Sequence, residues 1–169
     1  MPYSIYSENN QSVEIYENGN VVFKHARVLF RNFAGKAGKY NAEGKRNFCL
    51  VIPDKSAADK LSENGWHVRI LAPRDEFDEA TYYIPVAVNF TYKPPRIETS
   101  QNGVITPIDE SMISMLDSAD FRYVDAVINP YSWNMGTNSG VKAYLKSMRV
   151  FLETDELDAL YADDAPFDE

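Results

Sequence analysis

The sequence predicts a β-rich fold, all-β to α+β. Three observations carry this: short runs alternating at period two, turn clusters between them, and few stretches with a helical apolar stripe. At 169 residues, 44% hydrophobic and 13% aromatic, the chain suits one globular body with a sizeable core. Its single cysteine, Cys49, lies in the apolar run FCLVI and reads as a small buried hydrophobe. One cysteine excludes an internal disulfide framework and a cysteine-based zinc cluster. No run has the length and apolarity of a transmembrane helix, and MPYSIYSENNQS lacks the basic and apolar regions of a signal peptide. A cytoplasmic protein without a membrane partner is expected.

In order along the chain, residues 13–17 (VEIYE) alternate as a strand, and Asn18-Gly19-Asn20 is a hairpin turn because Asn and Gly tolerate positive φ. Residues 21–32 read as one long strand, with Arg27 and Arg31 on the same side as Val21, Phe23, His25 and Leu29. A mobile loop with Gly35, Gly38 and Gly44 comes next, then an apolar strand over 47–52. Asp54 caps a helix ending at Asn64-Gly65. Strands are predicted over 66–72, with Trp66, Val68 and Ile70 on one face, and over 81–90, where Pro85 points to an edge or a bulge. A second short helix is predicted from Thr106 as cap and Pro107 at the first position. The last two strands, 121–134 and 140–152, form a hairpin around residues 135–140. The chain then divides into an N-terminal extension or hairpin strand (1–20), a body (21–152) and an acidic tail (153–169).

The net charge of −8 is unevenly spread. Of the 25 acids, eight lie within 153–169, which holds no Lys or Arg; residues 1–152 carry 17 acids against 17 Lys and Arg and are neutral. Residues 24–48 hold seven cations and only Glu43 as acid, interleaved with Phe30, Phe33, Tyr40 and Phe48. The same stretch also reads as a basic hairpin whose rings are core.

Catalytic signatures are missing. Gly35-Lys36-Ala37-Gly38-Lys39 lacks the spacer of a phosphate-binding loop, and Tyr40 stands where Ser or Thr would bind magnesium. His25 and His67 have no motif partner, the acids at 75–79 lack calcium-loop spacing, and no metal or cofactor is implied. Cation and ring instead recur together in three places, 27–46, 90–96 and 131–146. Phosphates need Lys and Arg, and exposed rings stack on bases at roughly 1–3 kcal/mol each. Candidate nucleic-acid contacts are Arg27, Arg31, Phe33, Lys36, Lys39, Tyr40, Lys45, Arg46, Tyr92, Lys93, Arg96, Trp133, Lys142, Tyr144 and Lys146. A competing reading is a non-enzymatic interaction protein that binds and inhibits a host protein.

The segments ARVLFRNFAGKAGKYNAEGKRNFCLVIPD, ILAPRDE, VNFTYKPPRI and NPYSWNM with SGVKAYLKSMRV, in that order, resemble the tailed-phage single-stranded DNA-binding protein family. The resemblance spans about residues 21–152. It implies an oligonucleotide-binding (OB) barrel with two short added helices and no enzymatic activity. It also implies binding of single-stranded DNA with little sequence preference, during replication or recombination in an infected cell. The tail is similar to the acidic Asp-Asp-x-Pro-Phe end of bacterial single-stranded DNA-binding proteins, through Asp163, Asp164, Pro166 and Phe167. That likeness implies replication or recombination proteins as partners. The departure is that Asp168 and Glu169 come after Phe167, which therefore lacks the terminal carboxylate.

Overall fold

Residues 21–32 set the architecture, and they do so by bending. The computed structural model describes residues 10–154 and the backbone of residues 3–6. Its strands are β1 (Tyr3–Tyr6), β2 (Ser12–Ile15), β3 (Val21–Ala26), β4 (Val28–Asn32), β5 (Arg46–Ile52), β6 (Arg69–Leu71), β7 (Thr81–Val88), β8 (Arg96–Gln101), β9 (Val104–Ile108), β10 (Phe121–Met135) and β11 (Asn138–Leu152). Helix α1 (Lys55–Glu63) comes after β5, and a 3-10 helix (Ile113–Asp117) precedes β10. Pairing runs β1-β2-β3-β10-β11-β7-β5-β4, with β6 on β7 and the β8–β9 hairpin on β11. The ladder is not closed by hydrogen bonds. Yet β3 and β4, at opposite ends of the barrel path, are separated only by Arg27, and β7 runs parallel to β11. A bent first strand serving both edges is the connectivity of an OB-like barrel.

The predicted single strand is thus two. His25 (φ 53°) and Phe30 (φ 52°) take left-handed backbone, and each shifts the side-chain alternation. Val21, Phe23 and Ala26 consequently face the core together, and the predicted two-face assignment fails beyond Phe23. The core gathers Phe23, Phe33, Phe48, Leu50, Leu61, Ile84, Ile113, Leu116 and Ile128 from strands, α1 and the 3-10 helix.

Elsewhere the sequence signals hold where local chemistry decides. The Asn18-Gly19-Asn20 turn joins β2 to β3, with Gly19 at φ 93°. The Asp54 carboxylate accepts the Ala57 N–H at 2.8 Å and starts α1. The predicted second helix does not start at Thr106; it is a 3-10 helix that begins at Ile113. Asn102 (φ 53°) and Gly103 (φ 79°) make a two-residue hairpin turn, so Thr106 and Pro107 lie in β9, paired with Thr99 and Glu98. Among the described residues β9 pairs only with β8, and an edge strand tolerates Pro107. The 3-10 helix alone stands between β9 and β10. The predicted 66–72 strand shrinks to β6: Trp66 is buried and joins the sheet through an isolated bridge to Val141, while Ile70 is exposed. Pro85 sits mid-sheet, in the gap between the β6 ladder at 81–83 and the β11 ladder at 86–87. The last hairpin is tighter than predicted, with Met135 opposite Asn138.

Candidate nucleic-acid interface

Register brings five residues into one row on the outward side of the sheet. Asn129 pairs with Tyr144, Tyr144 with Ala87, Ala87 with Asn47, and Asn47 with Asn32. At about 4.8 Å per strand the row spans roughly 19 Å. Its centre is small, and its ends carry the chemistry. At one end stands the β10–β11 hairpin, where Tyr131 (58% exposed) pairs with Lys142 and meets the Tyr144 ring edge-on at 5.8 Å. Trp133 pairs with Gly140 and lies flat on it; a Cβ at Gly140 would come within 3.1 Å of the indole. Two residues from Ala87 is Pro85, paired with Cys49, so the floor beside these rings is also compact. Tyr83 shares that side, with Phe30 against it at 5.5 Å. Burial pushes the Cys49 thiol up to about 11 against the opposing charge of Arg69. It is therefore protonated and a poor nucleophile at neutral pH.

At the other end is the 34–45 loop, and it is built rather than slack. Asn32 and Lys36 bond reciprocally, Oδ1 accepting the Lys36 N–H at 2.9 Å and Nδ2 donating to its carbonyl at 3.1 Å. Asn41 Nδ2 donates to the carbonyls of Lys36, Ala42 and Lys45 at 2.8, 3.1 and 3.0 Å. Asn47 Nδ2 donates to Asn41 Oδ1 at 2.8 Å, tying the loop to the row. Gly35 (φ 69°) is packed so closely on the Gly44 backbone that a Cβ there would lie 3.0 Å from it. This frame holds Lys36, Lys39, Tyr40 and Lys45 exposed, with Tyr40 91% exposed and the Lys39 ammonium 5.3 Å from its ring centre.

The structure sorts the sequence-predicted contacts into two groups. Phe33 is fully buried and stacked on Phe48 at 5.0 Å, so it is core and not a base-stacking ring. Arg31 is an anchor: Nη1 donates to the carbonyls of Leu116 (2.9 Å) and Ala119 (2.6 Å). Arg46 donates to the Phe33 carbonyl at 2.7 Å and lies 3.7 Å from Glu110. Its guanidinium holds the loop closed rather than facing solvent. Arg96, on β8, stands 3.8 Å from Glu98, which Arg149 also contacts at 2.6 Å. Arg27 is exposed at the β3–β4 bend, away from the row. Tyr92 (75% exposed) and Lys93 pair as cation and ring at 5.8 Å on the 89–95 loop. That loop leaves the sheet beside the 34–45 loop, since Val88 pairs with Arg46. Lys142 lies 5.2 Å from the Tyr144 ring centre, and Lys146 is exposed near the bulge of β11. Asp163, Asp164, Pro166 and Phe167 fall outside the described residues.

Sequence reasoning left Tyr131, Tyr83 and Phe30 out of the site. Tyr131 shares the Trp133 alternation and was findable from it. Phe30 reaches this side through its left-handed backbone, which alternation does not reveal. The three asparagines carry no motif; their role depends on strands distant in sequence.

An OB barrel offers nucleic acid the outer face of its second and third strands and the loops joining strands one–two and four–five. Here those are β5, β7, the 34–45 loop and the β10–β11 hairpin. Residues 10–169 match the phage ssDNA-binding domain family. The chain belongs to that family. As a member it is a single-stranded DNA-binding protein of the phage type. Solved structures agree at the level of fold. The single-stranded DNA-binding protein from bacteriophage Enc34 in complex with ssDNA superposes with a TM-score of 0.56 at 13% identity, covering 91% of this chain and 97% of that one. A second structure of the same phage protein gives 0.56 at 13%, covering 92% of each chain. Its C-terminal truncation gives 0.55 at 13%, covering 91% and 96%. No curated protein sequence matches the chain.

Proposed function

We propose that the chain coats single-stranded DNA as a non-catalytic binder with little sequence preference, in phage replication or recombination. The strand crosses the outward face of β5, β7 and β11 between the β10–β11 hairpin and the 34–45 loop. The observation that carries this is the continuous row from Asn129 to Asn32. It links two ring-and-cation ends, Tyr131/Tyr144/Lys142 and Tyr40/Lys39, over a floor of small side chains. Rings with π-faces and exposed lysines suit any base and any phosphate, which is why little preference is expected. The bound Enc34 protein, of similar fold, supports the reading. The acidic tail 153–169 is assigned to recruiting replication or recombination proteins, on its likeness to the Asp-Asp-x-Pro-Phe end.

The test is titration of fluorescent oligo-dT across a salt series. Affinity should fall with a log–log slope of about −0.7 per phosphate contact. Salt-independent binding, or equal affinity for Lys36→Ala/Lys39→Ala/Lys45→Ala and wild type, would sink the assignment of this face.

A further inference from the structure

At the end of β10 remote from Tyr131, three arginines converge on one cavity. Arg27, Arg31 and Arg122 line a space of about 230 Å³ walled by Phe121 and Tyr123. Arg31 is fixed there by its two carbonyl contacts and lies 4.6 Å from the Phe121 ring centre. Arg122 lies 5.7 Å from that of Tyr123 and is exposed. Carbonyls and a ring position Arg31, and a ring positions Arg122, without cancelling their charge. Two of the neighbouring carboxylates are engaged elsewhere. Asp117 accepts the Phe33 and Ala34 N–H groups, and Asp125 accepts the His25 N–H. Asp120 and Glu153 stand exposed beside the mouth, their backbones joined at 2.8 Å. Among the described residues no carboxylate forms an ion pair with any of the three arginines.

We propose that this cavity is a phosphodiester site, which grips a second time the strand already held on the tyrosine face. The inference rests on the single-stranded DNA reading. Guanidinium forks match phosphate oxygens, and the two ring walls suit an adjoining base. Arg31 is already immobilised, so it loses little side-chain freedom on binding. Arg122 and Tyr131 are nine residues apart on one strand, roughly 30 Å at about 3.3 Å per residue. Between them Asp125 pairs across strands with Arg149, and Glu98 meets Arg149 and Arg96, so the path along β10 is not a wall of negative charge.

A short strand fills the tyrosine face alone, whereas a long one reaches the arginines. Length is therefore the discriminating variable. The full chain is titrated with labelled oligo-dT of about 6 and about 16 nucleotides, within the range a single OB fold occupies. The variants are Arg122→Gln and Arg27→Gln/Arg122→Gln, with Arg31 left intact as an anchor. The short oligomer should bind the variants as it binds wild type. The long one should bind more weakly, with a salt slope shallower by at least about 0.7. Equal loss for both lengths, or no loss for either, overturns the second site. Wild type that binds neither length overturns the DNA reading itself. If dTMP raises the melting temperature of wild type but not of the variant, while long-oligomer affinity is unchanged, the cavity takes a free nucleotide and the strand assignment is wrong. Should the double variant melt early, Arg122→Gln alone carries the test, because among the described residues that side chain's one polar or ring contact is with Tyr123.

Discussion

Phe33 and Tyr40 look alike in the sequence: each is an aromatic among cations, seven residues apart. In the fold one is fully buried and the other 91% exposed. Their substitutions should separate accordingly. Phe33→Ala empties core volume against Phe48 and should destabilise by about 3–5 kcal/mol in chemical denaturation, with DNA affinity falling only through unfolding. Tyr131→Ala and Tyr40→Ala should each cost roughly 1–3 kcal/mol of oligo-dT affinity while the melting temperature stays put. A Tyr131→Ala protein that binds normally would remove that ring from the site. Gly140→Ala tests a single contact: its Cβ would lie 3.1 Å from the Trp133 indole and must displace it. Weaker binding with shifted tryptophan emission is expected; unchanged emission would mean the ring does not rest on Gly140. Composition announced that rings and cations mattered. Which ring faced outward was hidden because two left-handed residues, His25 and Phe30, reset the alternation.

Among the elements, those defined by local chemistry were legible: the Asn-Gly turn before β3, the Asp54-capped α1, and the long final hairpin. Those defined by partners were not. Thr106 and Pro107 carry a helix-start pattern, but Asn102-Gly103 turns the chain first and β8 supplies hydrogen bonds. The better local signal lay four residues upstream. The 34–45 loop is the sharper case. Its glycines suggested mobility, while its order comes from Asn32, Asn41 and Asn47, which meet only after β4 and β5 pair. Asn41→Ala deletes donors to three carbonyls and should cost about 1 kcal/mol or more of stability. It should also weaken oligo-dT binding, since Tyr40 adjoins it. Stability loss with full affinity would show that loop order is irrelevant to DNA.

For the whole molecule, a net charge of −8 and a polyanionic ligand coexist because the charge is divided: a neutral 1–152 with cations held outward by two loops, and acids concentrated in 153–169. The barrel's contribution is to set Tyr131, Tyr144 and Lys142 at one end, and the loop bearing Lys39 and Tyr40 at the other, of one row across β11, β7 and β5. Trp133 reports on that claim directly, since it stands on this face at 37% exposure whereas Trp66, the other tryptophan, is buried. Intrinsic fluorescence should be monitored as oligo-dT is added to wild type, Trp66→Phe and Trp133→Phe, with anisotropy of a labelled oligomer confirming binding in each. Saturable quenching in wild type and Trp66→Phe, absent in Trp133→Phe, is the expected result. Full binding by anisotropy with Trp133 emission unchanged would place the strand elsewhere and contradict it.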